Sequence, residues 1–274
     1  MKIAIVVVAI LLLDTLISAV SSCSKKDKPQ TDAPETTYST QYNWDNLSTE
    51  GGSYTFVVDG KTVSRLGIDV SESQGTIDWD AVAADGIDYA IVRVGYRGTT
   101  EGDVFTDTYF DTNIDGAIDA GLDVGVYFYS QAVNEDEARE EAERCIYEIN
   151  KRNLQYPVFF DYEKTADQSG RADKISSIQA TANARAFCEA IEAEGYKAAI
   201  YGNQNDLNNY FLMPLHKYPV WYAEYNSLPT SNHEFTMWQY TNKGTVKGIS
   251  TDVDLNIDLS KVPADTSSEE EQSS

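Results

Sequence analysis

The stretch from residue 157 to residue 163, PVFFDYE, is a short apolar run that ends in two acids, Asp161 and Glu163. Its length and apolar content are typical of a buried strand. Helical patterns lie on both sides of it, over residues 134–152 and 174–194. A buried strand between two helices indicates one βα unit of a parallel sheet.

The same alternation extends in both directions from this unit. Strand patterns cover residues 66–70, 89–94, 124–129, 157–163 and 198–201, each followed by a helical pattern, and then residues 219–224, 235–240 and 253–257 with little helix between them. We therefore predict an α/β fold, a TIM-like eight-stranded barrel with five βα units followed by three β elements. An open doubly wound sheet is the alternative. The first strand, however, continues into Ile68-Asp69-Val70-Ser71 and not into a glycine-rich phosphate loop.

The start of the chain predicts export. Lys2 precedes the apolar run 3–13, which is too short to cross a bilayer of about 30 Å and has the length of a signal peptide. The small residues before Cys23 resemble the lipobox of bacterial lipoproteins. This resemblance implies cleavage after residue 22 and a lipid anchor on Cys23, outside the cytoplasmic membrane. A secretory signal without an anchor is the alternative.

Four further segments complete the predicted organisation. Residues 23–50 are predicted as a disordered polar tether, and residues 51–65 as a β-hairpin that turns at Asp59-Gly60. The barrel is expected over residues 66–262, and residues 263–274 form an acidic tail that cannot bury apolar surface.

Composition narrows the range of partners and cofactors. With 21 basic and 44 acidic residues the formal charge is −23, which argues against nucleic acid and against docking on an anionic membrane surface. His216 and His233 lie outside any ligand-spaced motif, so we expect no metal and no other cofactor. Cys145 and Cys188 lie in helical patterns and are predicted as buried thiols, with a disulfide as the alternative.

Four acids are predicted to meet at one rim of the barrel. Asp69 ends the first strand, Asp161 and Glu163 end the fourth, and Asp254 opens the last. In a parallel barrel the carboxyl ends of the strands gather on one rim, and alternation turns residues 161 and 163 to the same side. Crowded acids keep at least one proton near neutral pH, which suits glycosidic-bond hydrolysis. A structural cap and a metal site are the alternatives.

Aromatic residues near the strand ends are candidates for stacking on sugar rings. They are Tyr127, Tyr129, Tyr201, Trp221 and Trp238, together with Tyr225 and Tyr240. For any single ring, packing in the barrel core is the alternative.

A series of motifs carries a resemblance to a known family. GIDVS (67–71), YAIVRVGYRG (89–98), GVYFYS (125–130), VFFDYE (158–163), WYAEYN (221–226) and MWQYTNKGTVKGISTDVDLNID (237–258) resemble, in this order, the glycoside hydrolase family 25 lysozymes. The resemblance implies an eight-stranded α/β barrel that hydrolyses the β-1,4 bond between N-acetylmuramic acid and N-acetylglucosamine in peptidoglycan. A monomer without cofactor is expected.

The resemblance also implies roles for the acids. Glu163 resembles the general acid, and Asp161 the carboxylate that orients the substrate N-acetyl group or stabilises the transition state. Asp69 and Asp254 match the remaining acids of the pocket. Two other functions stay open: a surface protein that holds peptidoglycan without cutting it, and a chitinase-like glycosidase. Chitinases are expected to place further Asp residues just before the acid pair, where this chain has Val158-Phe159-Phe160.

Overall fold

The computed structural model describes residues 41–210 and 215–263. The predicted signal peptide, the anchor residue Cys23 and all of the predicted acidic tail after Pro263 lie outside these ranges. Within them, none of the helices combines the length and the apolarity that crossing a membrane requires.

A small antiparallel sheet precedes the barrel. A 3₁₀ helix, Trp44–Asn46, leads into strands β1 (Leu47–Glu50), β2 (Ser53–Val58) and β3 (Lys61–Thr62), which pair in the order β1-β2-β3. Asp59 and Gly60 connect β2 to β3 with φ angles of 51° and 74°, so the predicted hairpin is confirmed.

The predicted tether, residues 23–50, overlaps this sheet and is wrong from residue 41 onward. Tyr42 is buried, and Trp44 and Leu47 are partly buried against the main core. These three apolar side chains give the end of a mainly polar segment enough surface to pack.

In the described part of the chain, nine strands form the main sheet. They are β4 (Arg65–Val70), β5 (Tyr89–Arg97), β6 (Val104–Thr106), β7 (Asp123–Tyr129), β8 (Val158–Asp161), β9 (Ala198–Asn203), β10 (Val220–Ala223), β11 (Met237–Gly244) and β12 (Val253–Asp258). Eight of them close into a barrel in the order β4-β5-β7-β8-β9-β10-β11-β12, because β12 pairs back to β4. Strand β6 extends the sheet from β5. The predicted eight-stranded barrel is confirmed.

Helices cover the outside of the barrel: α1 (Trp79–Ala84), α2 (Phe110–Asp119), α3 (Glu135–Ile149), α4 (Ser177–Ala193) and α5 (Gln204–Asn209). The side chain of Asn134 accepts a hydrogen bond from the Glu137 amide and caps α3, and Ser176 caps α4 in the same way. Cys145 in α3 and Cys188 in α4 are buried free thiols.

The last strand runs against the others. Strands β4 to β11 of the barrel pair in parallel, but β12 is antiparallel to both β11 and β4. The assumption of an entirely parallel barrel was therefore wrong. The reversal turns the amino end of β12 toward the rim where the other strands end, and it pairs Asp254 directly with Asp69.

Alternation along the strands separates an interior core from an outer one. Phe159 of β8 packs inside the barrel with Tyr201, Trp221 and others, whereas Phe160 faces outward and packs on Phe187 of α4 at a centroid distance of 5.2 Å. The next interior position after Phe159 is Asp161. Within this stretch, the ring of Phe159 therefore packs inside the barrel, and Asp161 and Glu163 lie at the barrel mouth.

Candidate active site

The four predicted acids line one cavity of about 280 Å³ at the mouth of the barrel. Asp69, Asp161, Glu163 and Asp254 share it with Tyr127, Tyr201, Trp221, Tyr225, Gln239 and Asn242. A second cavity of about 400 Å³, beside α5 and the segments that lead into β10 and β11, contains both histidines and none of these acids. The cavity that contains the four acids, at the mouth of the barrel, is therefore the candidate active site.

Two amides hold one oxygen of Asp69. Gln239 Nε2 and Asn256 Nδ2 each donate a hydrogen bond to Asp69 Oδ2 at 2.8 Å. Both amides are buried, with exposures of 3% and 0%. An oxygen that accepts two buried N–H donors is best satisfied when the carboxylate is ionised.

Donor groups behind the amides fix their orientation. Trp221 Nε1 donates to Asn256 Oδ1 at 2.7 Å, and an indole nitrogen can only donate. The amide nitrogen of Asn256 must therefore face Asp69. The hydroxyls of Tyr201 and Tyr225 donate to Gln239 Oε1 at 3.1 and 2.9 Å and turn that amide in the same way.

The paired acids Asp69 and Asp254 differ in their affinity for protons. Burial raises the pKa of Asp69 to about 6, although the hydrogen bonds from Asn256 and Gln239 act in the opposite direction. Burial and the charge of Asp69 raise the pKa of Asp254 to about 8. At neutral pH the proton of this pair thus lies on Asp254.

Asp161 and Glu163 also have few neighbours that stabilise their ionised forms. Burial raises the pKa of Asp161 well above its usual range, with the charge of Glu163 adding to the effect, and Asp161 Oδ1 is buried with no hydrogen-bond partner among the described residues. Burial and the charge of Asp206 raise the pKa of Glu163 to about 7. A carboxyl group with this pKa can hold a proton near neutral pH and still release it.

No arginine or lysine of the described ranges forms an ion pair with the four acids. Arg93 is the cation that lowers the pKa of Asp161, and its guanidinium is paired with Asp107 at 2.8 Å and Glu72 at 3.1 Å. In the same ranges, no three His, Cys, Asp or Glu side chains are grouped so as to hold a metal ion.

Hydrogen bonds brace the segment that follows Glu163. Asp173 accepts from the backbone N–H of Thr165 at 2.9 Å and of Gly170 at 2.7 Å, and the Tyr162 hydroxyl donates to the Ala172 carbonyl at 3.0 Å. Tyr162 points away from the cavity, as alternation requires. These contacts limit the movement of a segment that carries a key acid but no regular structure.

The predicted aromatic residues separate into two groups. Tyr127, Tyr201 and Trp221 line the cavity, with Trp221 in edge-on contact with Tyr201 at 4.6 Å and with Tyr127 at 6.1 Å. Tyr129 lies beside the cavity, where burial and the charges of Asp161 and Glu163 raise the pKa of its hydroxyl.

Trp238 does not lie in the cavity, so its assignment as a sugar-binding residue is wrong. Its neighbours Met237 and Gln239 face the barrel interior, and Trp238 therefore faces out. It is fully buried there, stacked on Tyr54 of the N-terminal sheet at 5.2 Å.

Sequence reasoning missed Gln239, Asn256, Asn242 and Asp206. The signal for one of them, Asn256, was available: it lies two residues after Asp254, so it shares the interior face of β12. Asp206 is 2% exposed at the start of α5, and only the folded chain brings its charge near Glu163.

A closed α/β barrel whose mouth gathers buried carboxylic acids beside aromatic rings is an arrangement of glycoside hydrolases. The family model of glycosyl hydrolases family 25 matches residues 68–249. The chain belongs to this family. Asp69, Asp161 and Glu163 lie inside the matched segment, and Asp254 lies just beyond it.

Individual proteins that are similar to this chain include a lysozyme and an autolysin. The autolytic lysozyme of Clostridium acetobutylicum is 31% identical over 191 residues, which cover 69% of this chain and 54% of that protein. The modular autolysin LytC of Streptococcus pneumoniae, solved with a synthetic peptidoglycan ligand, superposes with a TM-score of 0.65 at 27% identity, covering 77% of this chain and 52% of that chain. This chain thus spans about half the length of these two relatives.

The bacterial lysozyme of Streptomyces coelicolor superposes with a TM-score of 0.57 at 26% identity. That alignment covers 70% of this chain and 90% of the lysozyme.

Proposed function

We propose that this protein is a muramidase that hydrolyses the β-1,4 bond between N-acetylmuramic acid and N-acetylglucosamine in peptidoglycan. The observation that carries the proposal is the cavity that Asp69, Asp161, Glu163 and Asp254 share, with the pKa of Glu163 raised to about 7. Membership of family 25 and the similarity to two lysozymes and an autolysin support it.

In this proposal Glu163 is the general acid. It holds its proton because its carboxyl group is buried near the charge of Asp206. Transfer of that proton to the glycosidic oxygen lets the sugar leave as an alcohol, while positive charge develops on the ring that remains. Addition of water to that ring then forms the new C–O bond and releases the proton that restores the acid, which completes the hydrolysis. The proton is thus delivered at the atom where the bond breaks.

Asp161 is assigned to the sugar ring on which positive charge develops. Its Oδ1 has no hydrogen-bond partner among the described residues and belongs to a cavity-lining side chain. We assign this oxygen to the substrate, where it accepts the N–H of an N-acetyl group or stabilises the cation-like transition state. Contact with a donor or a cation also favours the ionised form of Asp161.

Asp69 and Asp254 complete the acidic wall of the cavity. Asp69, held by two amides, supplies a fixed negative charge toward the developing cation. Tyr127, Tyr201 and Trp221 give the sugar rings apolar faces to contact. Sugar rings have both polar edges and apolar faces, so this combination suits a glycan.

The test compares wild-type protein with Glu163→Gln on purified peptidoglycan. Wild-type protein should release reducing ends, with muramic acid at the new ends by mass spectrometry, and Glu163→Gln should release none while keeping the wild-type circular dichroism spectrum. Glu143→Gln, an exposed carboxylate of α3, is the matched control and should keep full activity. Binding of peptidoglycan without release by wild-type protein would refute hydrolysis, and release from chitin alone would indicate the chitinase-like alternative.

We also propose that the protein is exported and anchored through a lipid on Cys23. A cell-wall substrate lies outside the cytoplasm, which supports export, and the lipobox-like residues before Cys23 support the anchor. Labelling of living cells with a tagged fatty acid should mark the wild-type protein and leave Cys23→Ser unmarked. Equal labelling of both would refute the anchor.

A further inference from the structure

The N-terminal segment, residues 41–64, lies outside the part of the chain that the family model matches, yet it packs against the core around the barrel. Its aromatic side chains meet those of the barrel: Tyr42 and Trp44 contact Phe235, and Tyr54 contacts both Trp238 and Tyr240. Tyr42 and Trp238 are 2% and 0% exposed, so these contacts are buried.

The contacts converge on one irregular segment, the cavity loop, which we define as residues 224–236 between β10 and β11. At its far end, the Tyr42 hydroxyl donates to the Phe235 carbonyl at 2.7 Å, and the Phe235 N–H donates to Gln41 Oε1 at 3.0 Å. Near its start, the Tyr54 hydroxyl donates to the Ser227 carbonyl at 3.3 Å. The N-terminal segment thus holds the loop at two points.

Hydrogen bonds within the cavity loop also hold residues 224–230 together. The Glu224 carboxylate accepts from the Thr230 N–H at 2.6 Å and from the Asn226 side chain at 2.8 Å. Trp238 Nε1 donates to the Glu224 carbonyl at 2.8 Å. Trp238 therefore joins the N-terminal segment to the start of the loop, because Tyr54 stacks on its other side.

The loop carries a cavity residue. Tyr225 lines the cavity, is 51% exposed, and donates its hydroxyl to Gln239 Oε1 at 2.9 Å. Gln239 in turn donates to Asp69. Movement of the loop would change both the rim that meets substrate and the amide that holds Asp69.

We propose that residues 41–64 form a clamp that holds the cavity loop in place, and that Tyr54 is the positioning residue through which the clamp fixes Tyr225. Tyr54 touches neither the acids nor the cavity, and it acts through Ser227 and Trp238. The barrel module of this chain thus depends on a segment outside the family match for the shape of its cavity.

Hydrogen exchange of the full-length chain tests the clamp without substrate. Tyr54→Ala removes the ring stack and the hydrogen bond, so amides of residues 224–236 should exchange about tenfold faster. Tyr54→Phe keeps the ring and removes only the hydroxyl, so its smaller acceleration should centre on Ser227. Tyr196→Ala is the matched control, because this partly buried tyrosine packs on the same core just before β9, at the other end of the barrel. Unchanged exchange in the loop of Tyr54→Ala, or equal acceleration in Tyr196→Ala, would refute the clamp.

Kinetics then test the link to Tyr225, and this part rests on the proposed muramidase activity. Tyr54→Ala should lower kcat/KM about fivefold in wild-type background and less than about twofold when Tyr225→Phe is already present, since coupled residues are not additive. Equal losses in both backgrounds would contradict the link. Absence of activity in the wild-type protein would refute the proposed function and leave the exchange result to decide the clamp.

Discussion

Replacing Glu163 by Gln should stabilise the fold at neutral and alkaline pH while it removes activity. Burial, with the charge of Asp206, raises the pKa of Glu163 from 4.5 to about 7. The folded protein therefore binds this proton more tightly than the unfolded chain. The stabilisation it gives is complete below the unfolded pKa and is lost as the pH rises through the folded value. Gln has the same size and carries no charge, so it avoids that loss.

The magnitude follows from the two pKa values. A difference of roughly 2.5 pKa units corresponds to about 3 kcal/mol at most. Because part of the effect is already present at pH 5, the free energy of unfolding contributed by Glu163 should change by about 2 to 3 kcal/mol between pH 5 and pH 8. Removal of the Glu163 charge also lowers the pKa of Asp69 toward its usual range, since Glu163 raises it.

Urea unfolding at pH 5 and pH 8 measures this difference. Wild-type protein and Glu163→Gln are compared at each pH, so that titration of the groups that do not interact with Glu163 cancels. The advantage of Glu163→Gln should grow by about 2 to 3 kcal/mol from pH 5 to pH 8. The exposed Glu143→Gln should show no such growth, because its carboxylate is solvated in the folded and unfolded chain. If the difference in free energy of unfolding between Glu163→Gln and wild-type protein is the same at both pH values, the proposed rise in the pKa of Glu163 on folding is refuted.

Three further predictions concern the same cavity and the barrel around it. The rate of reducing-end release should fall as the pH rises through about 7, because Glu163 then loses the proton it must donate; a rate that rises through this range would contradict its role. Trp221→Phe keeps an aromatic ring but removes the indole N–H that orients the Asn256 amide, so kcat should fall about tenfold, and an unchanged kcat would contradict the fixed amide; the melting temperature should fall as well, because a smaller ring leaves space at a buried position. Gly67→Ala places a Cβ 2.2 Å from the Tyr89 ring, so urea unfolding should show a loss of about 2 kcal/mol or more, and wild-type stability would refute the tight packing.

Much of the fold could be predicted because the strands alternate and the helices separate them. PVFFDYE was sufficient to predict a buried strand with two acids on its interior face, and Phe159, Asp161 and the cavity agree with it. The alternation rule depends only on backbone geometry and therefore needs no knowledge of neighbours.

Trp238 could not be placed by the same rule. MWQY has large side chains on both faces of β11, so hydrophobicity does not tell which face is inside. The answer depends on the N-terminal sheet, which covers the outer face with Tyr54 and makes it a second core. The polar composition of residues 23–40 concealed that sheet, because averaging over the predicted tether diluted Tyr42, Trp44 and Leu47.

The direction of β12 decides the chemistry of the cavity more than any single motif does. A parallel last strand would carry Asp254 to the opposite rim, and Asp69 would lose the carboxyl group that is paired directly with it. The reversed strand sets Asp254 against Asp69, and the proton of the pair lies on Asp254 because two amides already favour the ionised form of Asp69. Burial, together with nearby negative charges that include that of Asp69, opposes ionisation of Asp161. Burial of these acids without an ion-paired cation in the described ranges raises the pKa of Glu163, and this is what leaves it a proton for transfer near neutral pH.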